Sequence, residues 1–536
     1  MLIAKLKEFT SRHNSKTFWI LFWIILFGLA LRLVNLADQP YWGDEALSLD
    51  ITKYLPHVSD LIRYLALVEV HPPLYYLILH FWIGFFGIGV FAVKFLSLIF
   101  GLACIIAAFF WGKIIFKSQK IGVIAALITA VLPVYLEFSQ EARPYIFFSF
   151  FGALAAIWLW QYCQTRRRIF LAGYVLANLL GLYLHYSYFF IFVALSGWAL
   201  IDIFFQKENR LRQFLTWMGA HTIILLGFSF WATPFFYKII LGNAPLFGLL
   251  RTVNNSRLDS VLNSVLSQVI WLNSESTVPS LQIFVSFVAQ LLLIAVFIWA
   301  LVQAYHKKNI DYWRPLLFNL WLIFIPLILF LFSPQSINYT IFFQRHIIFI
   351  LFPISILISW AVNLLSKKNM VVVLIVFFLS LAPFDSDILS NGGSWDDTYD
   401  GQIAGDLINS NYLPGDIVLV SVAPVRTYLT HFLGNEIPVY SFAPLDYYSN
   451  EYDVYASRHV MGLIENEFQS RLQLTSDFQT FEKLDELNKL YHPKRIWLYA
   501  FNAQQNALHF WFMNHSWRQG FRSYPNPFEI AMYAAK

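Results

Sequence analysis

The sequence predicts a polytopic α-helical membrane protein with about eleven transmembrane helices and a soluble C-terminal α/β domain. Three observations carry that expectation. Hydrophobic residues make up 58% of the 536 and charged residues 13%, against roughly 45–50% and ~25% in soluble domains. Apolar runs of bilayer-crossing length recur through residues 1–384. Residues 385–536 then mix helix-like and strand-like stretches and are numerous enough to bury a core of their own. The composition excludes a disordered chain, a collagen and a disulfide scaffold. A net charge of +5 is too small for a nucleic-acid surface, so no nucleic-acid partner is expected. Cys104 and Cys163 fall in or beside apolar runs, which predicts buried free thiols, and no zinc-ligand spacing is present.

Taken in order, the chain opens with Lys5, Lys7, Arg12 and Lys16 before an apolar run at 18–36. The run is long for a signal peptide and no Ala-x-Ala site follows, so it reads as a retained first span with its N-terminus inside. Further runs lie near 91–115, 121–140, 145–162, 170–185, 187–205, 214–234, 281–304, 315–333, 345–365 and 369–384. Alternate loops between them carry Lys113/Lys117/Lys120, Arg166/Arg167/Arg168, Lys207/Arg210/Arg212, His306/Lys307/Lys308 and Lys367/Lys368. All five fall on one side if the run at 74–88 does not cross, and the positive-inside rule makes that side cytoplasmic. The outer side then holds 38–90, 238–280 and the tail from 385. Within the first, 59–69 has an N-cap serine and Leu61, Ile62, Leu65 and Val68 at helical spacing, as in an interfacial amphipathic helix. In the tail, 417–422, 437–442, 495–501 and 528–533 read as strands and 477–490 as a helix.

The outer ends of the spans carry the ionisable residues. Asp44-Glu45 follows the first span closely among aromatic and apolar neighbours, and burial there would prepare a carboxylate as a general base. Arg32 lies inside the first span, where a charge needs a partner such as Asp44 or Glu45, or snorkels to the interface. His71-Pro72-Pro73 fixes a histidine at a helix start. Glu141-Ala142-Arg143-Pro144-Tyr145, His185-Tyr186 and Arg345-His346 sit at further outer ends. Each alone is also readable as a helix end meeting water, and Glu141 as a simple partner for Arg143. No span centre holds Asp, Glu, Lys or Arg. An ion-driven transporter would place such groups near the midplane. The pattern points instead to a site at the outer membrane surface that handles an anion, such as a lipid-linked phosphate.

At these residues the chain resembles the polyprenyl-phosphate-sugar-dependent glycosyltransferases of the GT-C fold. Their relatives include the protein O-mannosyltransferases and the aminoarabinose transferases that modify lipid A. The likeness runs in order through Arg32, Asp44-Glu45, His71-Pro72-Pro73-Leu74, Glu141-Ala142-Arg143-Pro144-Tyr145 and Arg345-His346. There are departures. Aminoarabinose transferases have Lys where His71 stands. Ser394-Trp395-Asp396-Asp397 is not the Trp-Trp-Asp motif of oligosaccharyltransferases. No outer loop is long enough for the trefoil-like insertion of eukaryotic mannosyltransferases.

The resemblance implies a membrane-embedded transferase domain at 1–384, with catalytic acids on the outer loop 38–90, and an extracytoplasmic domain at 385–536. It implies Asp44 as general base with Glu45 beside it. It implies Arg143, Arg345, His346 and Arg32 around the donor phosphate, and His71, Glu141, Tyr145 and His185 around the substrate. Its partners would be a polyprenyl-phosphate-linked sugar donor, an extracytoplasmic lipid, glycan or protein acceptor, and the bilayer of a plasma membrane. No cofactor is required; a divalent metal at Asp44, Glu45 and His71 stays open. A flippase for lipid-linked glycans and a non-catalytic membrane scaffold are the competing classes.

Overall fold

A computed structural model describes residues 15–39, 41–67, 69, 71–206, 208–236, 280–306, 310–331, 343–391, 396–420, 429–430, 432–434, 437–441, 493–501, 517–523 and 528–535. Outside them lie Lys5, Lys7 and Arg12, nearly all of the outer piece at 238–280, and the helix expected at 477–490. The chain divides into two compact units: Met1–Leu36, Val70–Tyr75 and Val93–Ser394 form the first, and Ala37–Glu69, Tyr76–Ala92 and Trp395–Lys536 the second.

In chain order the helices are α1 (Ser15–Leu33), α2 (Gly43–Tyr54), α3 (Val58–Leu67), α4 (Leu74–Phe86), α5 (Val90–Ile115), α6 (Gln119–Val131), α7 (Pro133–Gln140), α8 (Tyr145–Thr165), α9 (Arg168–Leu184), α10 (Tyr188–Phe204), α11 (Arg210–Ser229), α12 (Ala232–Phe236), α13 (Ser280–Tyr305), α14 (Ile310–Leu331), α15 (Phe343–Ile347), α16 (Leu351–Asn363), α17 (Lys367–Asn391) and α18 (Asp396–Asn411). A 3-10 turn, Ile348–Ile350, joins α15 to α16. Among the described residues, five helices are long and apolar enough to cross a membrane: Lys16–Leu33, Val90–Ile115, Tyr145–Thr165, Phe287–Tyr305 and Arg345–Asn363. The α6–α7 pair makes a sixth if it counts as one span. Leu74–Phe86, Arg168–Leu184, Tyr188–Phe204 and Trp313–Leu329 are apolar but shorter. By length and apolarity alone, then, five or six spans are marked among the described residues. Large apolar side chains such as Trp19, Trp23 and Phe27 of α1 are exposed, the inside-out pattern of a helix that faces lipid.

The sequence reads 121–140 as one straight span, and the structure breaks it. The two halves, α6 and α7, meet at 59°. Proline has no N–H to donate and forces the residue before it out of the helical region. Leu132, just before Pro133, accordingly takes φ −63° and ψ 122°. The carbonyls near the end of α6 lose their helical donors, and Arg32 of α1 replaces them. Arg32 is fully buried. Its Nη1 donates to Ala130 O (2.9 Å) and Gly28 O (3.1 Å), its Nη2 to Thr129 O (3.4 Å) and its Nε to Ser139 Oγ (3.0 Å). Of the readings the sequence leaves open for Arg32, snorkelling to the interface is not what the structure has: the guanidinium turns inward and caps a broken helix. Gly101 of α5 leaves room for this, since a Cβ there would lie 2.1 Å from Ser139 Oγ and 3.1 Å from Arg32 Nε.

At the far ends of α8 and α10, Asp202 ties three helices together. Arg166 Nη2 reaches its Oδ2 at 2.5 Å, and Arg314 of α14 binds its Oδ1. The cysteines are free and buried, as expected.

In the second unit a five-stranded sheet has the order β2-β1-β3-β5-β4, from β1 (Ile417–Val420), β2 (Val439–Ser441), β3 (Arg495–Phe501), β4 (Trp517–Ser523) and β5 (Phe528–Ala535). The first three are parallel, while β5 runs antiparallel to β3 and β4 antiparallel to β5. Ala404 and Ile408 of α18 join Val418, Val420, Val439, Trp497 and Tyr499 in one buried cluster. Asp416, at 1% exposure, accepts hydrogen bonds from Arg495 Nε and Nη2, Leu413 N and Trp497 Nε1, so the buried charge is fully engaged. Four strands lie on the stretches read as strands; β4 was not among them. In α3, Leu61, Tyr64 and Leu65 are buried, whereas Ile62, expected on the apolar face, is exposed.

Candidate active site

Within the first unit, three segments bring side chains together. The first is the bend between α7 and α8. Pro144 stops α7 from running on and starts α8, and Arg143 N donates to Glu141 O at 2.9 Å. The second is the α9–α10 hairpin. His185 ends α9 in extended conformation (φ −158°, ψ 139°). Tyr188 folds back over Gly181, where a Cβ would lie 2.2 Å from the ring, so glycine is what lets the hairpin close. The third is α15, whose last turn carries Arg345 and His346.

These segments converge on Tyr145. Arg345 Nη1 donates to its hydroxyl at 3.0 Å, and the guanidinium carbons of Arg345 and Arg143 lie 5.4 and 5.8 Å from its ring centroid. Arg143 Nη2 meets His71 Nε2 at 3.3 Å. The rings of His71 and His346 stand 5.2 and 5.3 Å from that of His185, and Phe148 stacks on His185 at 5.2 Å. Ser187 orders two of the histidines: its N–H donates to His185 Nδ1 (3.0 Å), and its Oγ lies 2.8 Å from His346 Nδ1. Arg143 and Arg345 are each 3% exposed and His185 4%. Burial holds His185 well below the usual histidine range, and the neighbouring His71, His346, Arg143 and Arg345 push it lower. The result is a cationic cage with a neutral imidazole at its centre, suited to a phosphate or another compact anion.

Of the residues singled out in the sequence, His71, Arg143, Tyr145, His185, Arg345 and His346 come together here. Glu141, nearly buried, lies in the same bend. Arg32 sits on α7 through Ser139, as described above. Asp44 and Glu45 belong to the second unit, in the first turn of α2. There they differ. Glu45 is buried and its Oε2 accepts from Trp42 N at 3.1 Å, capping its own helix. Asp44 is half-buried. Sequence reasoning missed Ser187, Phe148 and Glu137, the last lying in electrostatic reach of Arg345. A lone carboxylate near the end of an apolar run was the available signal for Glu137. Among the described residues, no group of three or more His, Cys, Asp or Glu side chains is placed to hold a metal ion.

No curated protein matches the chain by sequence. Residues 70–232 match a family described as dolichyl-phosphate-mannose-protein mannosyltransferase. The fold matches the crystal structure of ArnT from Cupriavidus metallidurans in the apo state with a TM-score of 0.60 and 12% identity, over 95% of this chain and 97% of that one. It matches the same protein bound to undecaprenyl phosphate with a TM-score of 0.59 and 12% identity, over 95% and 98%. The match to the mannosyltransferase family spans the loops that bear His71, Arg143, Tyr145 and His185, and the chain has the fold of ArnT: it resembles the GT-C glycosyltransferases, as its sequence implied.

Proposed function

We propose that the protein is a membrane glycosyltransferase that moves a sugar from a polyprenyl-phosphate donor to an extracytoplasmic acceptor with inversion. The observation that carries this reading is the buried cage of Arg143, Arg345, His71, His185 and His346 around Tyr145. In the proposed reaction a lone pair of the acceptor oxygen or nitrogen forms the new bond to the anomeric carbon. The bond from that carbon to the phosphate oxygen breaks, and its electron pair leaves with the polyprenyl phosphate. Asp44 takes the acceptor's proton. Arg143 and Arg345 stabilise the charge that grows on the phosphate, with His346 behind them. His71, Glu141 and Tyr145 position the substrate. Glu45 fixes the turn that presents Asp44, and Arg32 sets the angle of α7. The ArnT structure bound to undecaprenyl phosphate supports a lipid-phosphate donor for this chain too. The reading includes about eleven spans with the N-terminus cytoplasmic, a membrane domain at 1–384 and a soluble extracytoplasmic domain at 385–536.

Native mass spectrometry of the purified protein, wild type beside Asp44→Asn, tests it. A polyprenyl-phosphate sugar should co-purify with the variant and build up on it, while transfer falls about 10²–10⁴-fold. Wild-type transfer by Asp44→Asn sinks the base assignment. Failure of both proteins to bind any of a panel of such donors sinks the whole reading.

A further inference from the structure

His185 is placed in a way that its role as a bystander would not require. It is 4% exposed, so both ring nitrogens are removed from bulk water. Nδ1 accepts from the backbone N–H of Ser187 at 3.0 Å. An imidazole nitrogen that accepts carries no proton, so the ring's proton is on Nε2. Among the described residues that buried Nε2 has no hydrogen-bond partner. A buried donor left unmet is destabilising, so an acceptor is expected there. The ring is held rather than loose. Phe148 stacks on one side, and His71, Tyr145 and His346 surround it at 5.2, 5.4 and 5.3 Å between centroids.

The surroundings decide what the missing acceptor is. Two buried guanidinium groups, Arg143 and Arg345, flank the same space and approach the same Tyr145 ring. Two guanidinium groups disfavour a cation there even with the Glu137 and Glu141 carboxyl groups nearby, and a neutral carbonyl would use only one of these donors. A phosphate, with several acceptor oxygens, can meet them together. We infer that His185 Nε2–H is a fixed neutral donor to the phosphate head of the polyprenyl-phosphate ligand, its tautomer set by the Ser187 amide. This deepens the proposed transferase reading and rests on it. The chemical consequence is specific. Because the proton sits on a neutral imidazole and Nδ1 is already occupied, His185 hydrogen-bonds the leaving phosphate without protonating it. Its donor strength stays constant as the leaving group gains charge, and the phosphate departs unprotonated.

The test uses the full-length protein in lipid nanodiscs, with undecaprenyl phosphate and inorganic phosphate titrated in parallel. His185→Phe keeps the stack and removes the donor; His185→Gln restores an N–H near the Nε2 position. The expected result is undecaprenyl phosphate binding about tenfold weaker or more in H185F, and within about threefold of wild type in H185Q. Nitrogen-15-labelled histidine gives a second reading that needs no altered protein for its signal. The His185 resonance, assigned by its loss in H185Q, should show a protonated Nε2 and a bare Nδ1, and Nε2 should shift on adding undecaprenyl phosphate. Wild-type affinity in H185F, or an Nε2 resonance unmoved by bound lipid, overturns the inference while leaving the transferase reading intact. Absence of undecaprenyl phosphate binding by the wild type overturns both. Equal binding of inorganic phosphate would assign the donor to a free anion and overturn the lipid assignment.

Discussion

Arg143 and Arg166 stand at opposite ends of α8, each grouped with an arginine from later in the chain, and the two pairs are built differently. At one end Arg166 and Arg314 share the carboxylate of Asp202 and are about a third exposed. At the other, Arg143 and Arg345 are 3% exposed and meet His71 and Tyr145. The first arrangement sets two partly exposed cations against one carboxylate and joins α8, α10 and α14. The second gathers cationic and neutral donors around one phenol ring. Burying a guanidinium costs several kcal/mol before compensation. A fold that needed only to tie helices together had the cheaper solution available, and it uses that solution at the Asp202 end. The contrast separates a structural clasp from a ligand cage within one bundle.

The comparison breaks most directly by exchanging the two kinds of arginine. Arg345→Met should weaken undecaprenyl phosphate binding about 100-fold, and Arg314→Met should leave that binding unchanged. Equal losses in both, measured by titration in nanodiscs, would mean the two ends do not differ in kind. Asp202→Asn should act in the reverse sense. It leaves two partly buried guanidinium groups facing a neutral amide and lowers stability by about 1–2 kcal/mol, discounted for their exposure. A thermal melt that falls while ligand affinity holds would sharpen the distinction.

The smallest effect concerns pH. His185 resists protonation in the folded protein because of its burial and the facing groups His71, His346, Arg143 and Arg345. Its folded pKa lies below the unfolded one, so the unfolded chain binds the extra proton as pH falls below about 6.5. Stability should therefore be full above that pH and decline below it. The melting temperature of wild type should drop further than that of His185→Gln between pH 7.5 and pH 5.5.

Much of the site was legible because helix ends in membranes confine ionisable groups. Arg143, Tyr145, Arg345 and His346 announced themselves by standing where apolar runs stop. Ser187 did not, since its decisive contact to His185 is made by a backbone N–H that every residue except proline possesses. The break at Leu132-Pro133 was visible as a proline but was read through, because apolar periodicity continues on both sides of it. The stretch Trp517–Ser523 lacks the alternation of a half-buried strand and contains a glycine; pairing with β5 makes it a strand. In α3 the helical spacing was right, but the buried face is turned toward Tyr64 rather than Ile62, a choice that depends on neighbours distant in sequence.

The capping of α6 by Arg32 also bears on how the chain is assembled. The first span leaves the ribosome about a hundred residues before Thr129, Ala130 and Ser139 exist to receive its guanidinium. Until then those three bonds are missing, and a charge inside a span carries a penalty of about 2.5–3.5 kcal/mol on insertion scales. The bent α6–α7 pair in turn has open carbonyls until α1 is beside it. Each completes the other, so the first and third spans of the first unit are committed to the membrane as a pair, and an error in either one is an error in the insertion of both.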